Sequence, residues 1–188
     1  MNPGVERGGL ATDTEARAWL AEHFGCRPEH LNMPMGHATE LMETIQRTQG
    51  KLRTFFLLAV QHRPRKPAMA SRAAPLMVWW APKDSGYANS LFWAGRYTAE
   101  QLVKNTEYYR LWPRADARTM AVPCEAVLKI AFAKPDLADK GFWCDGPGPI
   151  LPNHLLVWDL LEKMAVKEPD MLDIFDAEAA AAAPPVVG

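Results

Sequence analysis

Cysteine is scarce. Cys26, Cys124 and Cys144 are the three in 188 residues, widely spaced and without a Cys-x-x-Cys pair. That pattern does not build a disulfide framework, and three free thiols suit a reducing cytoplasm. No apolar run reaches the ~18 residues that a membrane-spanning helix needs. The opening Met1-Asn2-Pro3-Gly4-Val5-Glu6-Arg7 has no basic stretch followed by an apolar one, so no secretory leader is expected. Also missing are Gly-x4-Gly-Lys-Ser/Thr, a post-strand Gly-x-Gly-x-x-Gly, His-Glu-x-x-His and Gly-x-Ser-x-Gly. Nucleotide-cradling and zincin-type chemistry therefore have no sequence support. Net charge of one sign is missing too, the formal total being -1. What is present is ordinary globular material, 48% hydrophobic, 23% charged and 10% aromatic, which excludes collagen-like, coiled-coil and wholly disordered classes.

Along the chain the texture changes several times. Residues 1–11 are Gly-rich and polar and read as a flexible arm. Residues 12–60 read as an N-terminal helical segment. Thr12 and Glu15 fit a capping box, and Ala16, Trp19, Leu20 and Phe24 recur at helical spacing over roughly 13–24. A second helix is expected from Gly36 or His37. The later run Phe55-Phe56-Leu57-Leu58-Ala59-Val60 suits a helix or a buried strand equally. Residues 61–75, with Arg63-Pro64-Arg65-Lys66-Pro67 and Arg72, read as a basic, Pro-rich connector and the main internal boundary. Residues 76–168 read as an α+β domain in the order strand, turn, strand, helix, strand, helix. Thr98 and Gln101 offer a second capping box, Pro123 ends a strand, and Asn153 is the expected N-cap of a last helix that Pro169 stops. Residues 169–188 read as an acidic, Ala/Pro-rich tail, disordered from about 177 onward. The fold expected is α+β: N-terminal helices, then a small antiparallel-containing sheet of ββαβ type packed with helices, then a disordered C-terminal tail.

Trp79-Trp80-Ala81-Pro82, Gly86-Tyr87, Ala94-Gly95-Arg96-Tyr97-Thr98 and Ala121-Val122-Pro123 occur in that order within residues 78–127. This segment resembles a family of small bacteriophage and prophage proteins. It departs from the family pattern at Ala88, where Thr is expected, and is longer around Arg110 to Arg118. The resemblance implies a compact ββαβ-like unit and a phage or mobile-element setting. It brings no catalytic residue with it.

Four groups of residues merit separate weighing. His23, Cys26, His30 and His37 could close on a metal across two helix ends and a loop, but the spacing is not a standard zinc pattern, and ordinary loop histidines explain it more simply. No cofactor is expected. Cys124 opens a helix, where the dipole favours thiolate, and His154 could serve as its base. A free cysteine is more commonly a small buried hydrophobe. The Gly- and Pro-rich loop around Asp145 suits a ligand or a rigid turn equally. Finally, aromatics (Trp79, Trp80, Tyr87, Phe92, Trp93, Tyr97, Tyr108, Tyr109, Trp112) interleave with Lys83, Arg96, Lys104, Arg110, Arg114 and Arg118. Rings stack on unpaired bases and cations neutralise phosphate. The alternative is that the rings fill a core. A strand sends neighbours to opposite faces, so one of Trp79 and Trp80 is expected inside and the other outside. The binding surface expected from this texture is Arg63, Arg65, Lys66, Arg72, Trp80, Lys83, Tyr87, Trp93, Arg96, Arg110 and Arg114.

The bland total charge conceals a division. Residues 1–46 hold 3 basic and 7 acidic groups, 47–118 hold 13 and 4, and 119–188 hold 5 and 11. A basic middle lies between acidic ends, matched either internally or by an anionic partner. The expectation is a cytoplasmic, non-enzymatic accessory protein, in a bacterial host cell if phage-encoded. It would bind nucleic acid or a host or phage nucleoprotein, with a protein partner also possible and no membrane. The other expectations are a small enzyme using Cys124 with His154 or a metal, and a virion structural or assembly protein.

Overall fold

The computed structural model describes residues 12–24, 27–31, 36–47, 52–64, 75–131 and 148–183. Helix α1 spans Asp13–Phe24 and α2 spans His37–Arg47. The first capping box forms as expected: Thr12 N donates to Glu15 Oε2 at 2.7 Å and Glu15 N donates to Thr12 Oγ1 at 3.3 Å. Ala16, Leu20, Leu41, Met42 and Ile45 bury a small apolar cluster of the pair's own.

The ambiguous apolar run resolves as strand β1, Thr54–Ala59. It pairs on both edges. β5, Thr119–Pro123, runs antiparallel along one edge, from Phe55 opposite Pro123 to Ala59 opposite Thr119. Along the other edge lie β2, Trp79–Trp80, with Trp79 opposite Leu58, and β4, Tyr97–Thr98, with Tyr97 opposite Phe55. β3, Tyr87–Ala88, lies outside β2. The sheet therefore starts at residue 54, inside the segment expected to be N-terminal and helical, and the expected boundary at 61–75 interrupts a sheet instead of separating two domains.

Alternation along β1 feeds two cores. Phe56, Leu58, Trp79, Met120 and Val122 face Val127 of α5 (Cys124–Ile130) and Trp158 and Leu161 of α6 (Leu155–Met164). Phe55, Leu57, Trp80, Tyr97 and Ala121 face Leu102 of α3 (Ala99–Lys104), Tyr109 of α4 (Thr106–Tyr109) and Met171 of α7 (Glu168–Ala182). A strand covered on both faces has no use for a polar residue, which is why its sequence gave no period. This also corrects the tryptophan expectation. Trp79 and Trp80 do point to opposite faces, but both are buried, at 0% and 6% exposure, because both faces are covered.

Three further expectations change. Asn153 does not cap α6; His154 does, its Nδ1 accepting from Leu156 N at 3.2 Å. The buried Asn153 instead accepts from Trp158 Nε1 at 2.8 Å and donates to His62 O at 3.0 Å. Pro169 does not stop a helix but sits in the first turn of α7, where its missing N–H costs nothing. The stretch expected as a tail is consequently helical through Ala182, and residues 184–188 lie outside the described residues, as do 1–11 and 65–74.

α7 is held down by Met171 and by Glu178, whose Oε1 accepts from Arg53 N at 2.6 Å just ahead of β1. Burial lifts the Glu178 carboxyl above its ordinary range. The native state thus retains a proton that the unfolded chain releases. This contribution is full below the ordinary glutamate range and declines as pH rises through the lifted value. Replacing Glu178 by Ala is expected to cost about 1–2 kcal/mol, because it strands the Arg53 N–H. Glu178→Gln should keep the acceptor and flatten the pH dependence. Urea melts of both variants between acidic and neutral pH check this; equal losses in the two would contradict it.

Candidate functional site

The spaced Trp-x-Pro, Gly-Tyr and Ala-Gly-x-Tyr elements converge on one turn. Ala81 N donates to Gly86 O at 2.9 Å and Gly95 N donates to Trp80 O at 2.8 Å. The Tyr97 hydroxyl donates to Ala81 O at 2.5 Å. Gly95 is required by close approach, since a Cβ there would lie 2.6 Å from Tyr97 Cε2 and 3.0 Å from Ala81 C and Pro82 N. The Pro82–Asp84 turn itself is strained: Lys83 and Asp84 both adopt left-handed backbone, with φ of 51° and 59°. Such residues cost of order 1–3 kcal/mol each and persist where the surroundings fix them.

The turn holds the Asp84 carboxylate toward a cavity of about 250 Å³, walled by Lys83, Arg96, Tyr97, Tyr109, Gln101 and Asn105. Tyr97 Oη lies 3.2 Å from Asp84 Oδ1 and Tyr109 Oη 3.5 Å from Oδ2. Burial raises the Asp84 carboxyl above its usual value, with the two phenols opposing. Burial and the nearby Asp84 charge drive both tyrosine hydroxyls upward, so they remain protonated donors.

Beside this cavity lies an aromatic face. Trp80 is its buried footing. Tyr87, Tyr108 and Tyr109 stand edge-on to the indole at centroid distances of 6.2, 5.8 and 5.9 Å. Tyr87 and Tyr108 are 52% and 46% exposed. The Arg118 guanidinium lies 6.0 Å from the Trp80 ring and 5.8 Å from the Tyr108 ring. Tyr87 is steadied by the His62 ring at 5.7 Å and by Gln61 Nε2, which donates to its hydroxyl at 3.0 Å.

Of the expected surface residues, only some gather here. Tyr87 is on this face, and Lys83 is exposed on the turn. Trp80 lies beneath the face and not on it. Trp93 is half-buried in a hollow shared with Thr14, Arg17 and Leu31. Arg96 is not a surface cation: it is 4% exposed, with its guanidinium 5.0 Å from the Phe56 ring. Arg63 pairs with Glu162 and Asp159 and lies 5.7 Å from the Trp158 ring. Arg110 pairs with Asp116, and Arg114 with Glu107 and Asp116. Much of the basic middle is thus matched internally. Arg65, Lys66 and Arg72 lie outside the described residues. Among the described residues no carboxylate pairs with Arg118 or Lys83. Tyr108, Arg118 and Asp84 were not singled out from the sequence. The first two belong to the interleaved aromatic and basic set but not to the expected surface, and Asp84 carries no signal of its own in the sequence.

The other candidates separate. His23 stacks on Trp19 at 5.1 Å, while Cys26 and the side chains of His30 and His37 lie outside the described residues. Among the described residues no group of three His, Cys, Asp or Glu could hold a metal ion. Cys124 is buried in the first core, and burial pushes its thiol up despite the opposing Arg96 charge and Thr54 hydroxyl. His154 is occupied as a cap. Comparison with family models, curated proteins and solved structures finds no match to this chain.

Two outcomes follow from the geometry. Gly95→Ala should destabilise by about 1–3 kcal/mol, because the clash is with backbone as well as with Tyr97; a melt unchanged within error would contradict the close approach. Cys124 should alkylate on the order of a hundredfold or more slower in the native protein than in urea. Peptide mapping after iodoacetamide reads this, and fast native labelling would restore the nucleophile.

Proposed function

We propose that the protein acts by binding, and that its partner is single-stranded nucleic acid, free or carried by a nucleoprotein, met through the Trp80 face. The supporting observation is the pair of exposed rings, Tyr87 and Tyr108, set edge-on against one buried indole with the Arg118 guanidinium alongside. Fixed, exposed rings offer stacking surfaces to unpaired bases without a further ordering cost, and an unpaired cation beside them meets phosphate. The phage or mobile-element setting and a cytoplasmic site of action belong to the same proposal. No helix is long and apolar enough to cross a membrane among the described residues. An enzymatic reading has less support, since the buried Cys124 thiol is pushed up and His154 is a helix cap.

Because most described arginines are paired internally, binding should rest on stacking more than on charge. Fluorescence anisotropy with single strands is expected to show a shallow salt dependence, on the order of one to two phosphate contacts. Tyr87→Ala and Tyr108→Ala should each weaken binding by about 1–3 kcal/mol. Arg118→Ala should lower the salt slope, and Arg114→Ala should do little. No binding at low salt, or binding indifferent to both tyrosines, would leave a protein partner as the reading.

A further inference from the structure

The cavity at Asp84 lies one side chain away from the stacking face. Tyr109 joins them: its ring packs on Trp80 at 5.9 Å and Tyr108 at 5.2 Å, while its hydroxyl reaches toward Asp84. The proton inventory at Asp84 is short. Tyr97 has one hydroxyl proton, and Ala81 O, at 2.5 Å, can only accept it. The longer 3.2 Å approach of Tyr97 Oη to Asp84 Oδ1 leaves the carboxylate at most a share of that proton. Tyr109 supplies one at the outer limit of 3.5 Å. A half-buried carboxylate is left with acceptor capacity on both oxygens, held in place by a strained turn. Such a group favours a guest that offers two parallel donors.

Two guests present that pattern: a guanidinium and the N1–H/N2–H edge of guanine. Lys83 and Arg96 line the same cavity, so a further cation is disfavoured and a neutral edge linked to phosphate is suited. Gln101 adds to this. Its Oε1 is taken by Thr98 N at 2.9 Å, so only its N–H2 remains to donate, as guanine O6 requires. The other bases do not fit: adenine, cytosine and thymine have no two adjacent donors on the pairing edge, where guanine has N1–H and N2–H. At about 250 Å³ the cavity is below the ~300 Å³ where drug-sized pockets begin, and suits one base rather than a whole nucleotide.

We propose that this cavity receives an unstacked guanine, its N1–H and N2–H donating to Asp84 and its O6 accepting from Gln101, while neighbouring bases stack on Tyr108 and Tyr87. The inference rests on the single-strand reading and adds base selectivity to it. The test is anisotropy with short oligothymidine strands carrying one central guanine, adenine, cytosine or thymine. The guanine strand should bind about tenfold tighter than the others. Asp84→Asn should bring it down to the thymine level. Asparagine tolerates the left-handed backbone, and near-UV circular dichroism of the Trp80–tyrosine packing is the control for the fold. Equal affinity for all four strands would overturn the guanine site and leave the stacking reading standing. If no strand binds, titration with guanosine monophosphate decides. Saturable quenching of tryptophan fluorescence that Asp84→Asn abolishes would uphold the site without the strand. No response, or displacement by arginine amide with none by guanosine, would overturn it.

Discussion

Among the described residues, the sheet and the helices on its two faces lean on β1. Phe55 to Ala59 is apolar at every position, so each face needs a cover and each edge a partner. β5 satisfies one edge; β2 and β4, brought in by different parts of the chain, share the other. The two faces then collect α5 with α6, and α3 and α4 with α7. Removing a large side chain from such a strand, as in Leu58→Ala, would cost about 2–5 kcal/mol and would open both the sheet and its cover. The C-terminal helix is part of that cover, which is why an acidic carboxylate, Glu178, is buried against the backbone that leads into β1.

The site is a consequence of the same constraint. β2 is two residues long, and its tryptophans are divided between the cores. With Trp80 fixed under α4, Tyr109 fills the remaining room inside, and the other two rings that touch it, Tyr87 and Tyr108, stand outward. The chain then turns sharply to place β3, and the strained Lys83 and Asp84 are the result. Rigidity in the core is transmitted to Tyr87, Tyr108 and Asp84, which are thereby ordered before any partner arrives.

Local signals in the sequence were readable wherever the physics is local. Thr12 with Glu15 and Thr98 with Gln101 form reciprocal caps, α1 ends at Phe24, and Pro123 closes β5. The α+β class follows from those elements. What the sequence could not convey depends on contacts between distant segments. Trp80 reads as exposed unless α4 is known to cover it, and α7 was hidden by Pro169, which stops a helix or starts one according to what precedes it. Arg96 and Arg63 read as surface cations, yet one lies over Phe56 and the other over Trp158. The candidate site was half legible. Its aromatic and basic texture was visible, whereas Asp84 acquires meaning only when Tyr97 and Tyr109, distant in sequence, meet it.

The central claim is that the Trp80 face is the contact surface. An NMR titration with a short single strand tests it most directly, following the seven indole Nε1–H signals and the tyrosine rings. The account predicts that Tyr87, Tyr108 and the Trp80 indole shift together and saturate at one stoichiometry, with Trp158, in the opposite core, unmoved. Shifts confined to the α6 side, or no shift at Tyr87 and Tyr108 while the strand is bound, would contradict it.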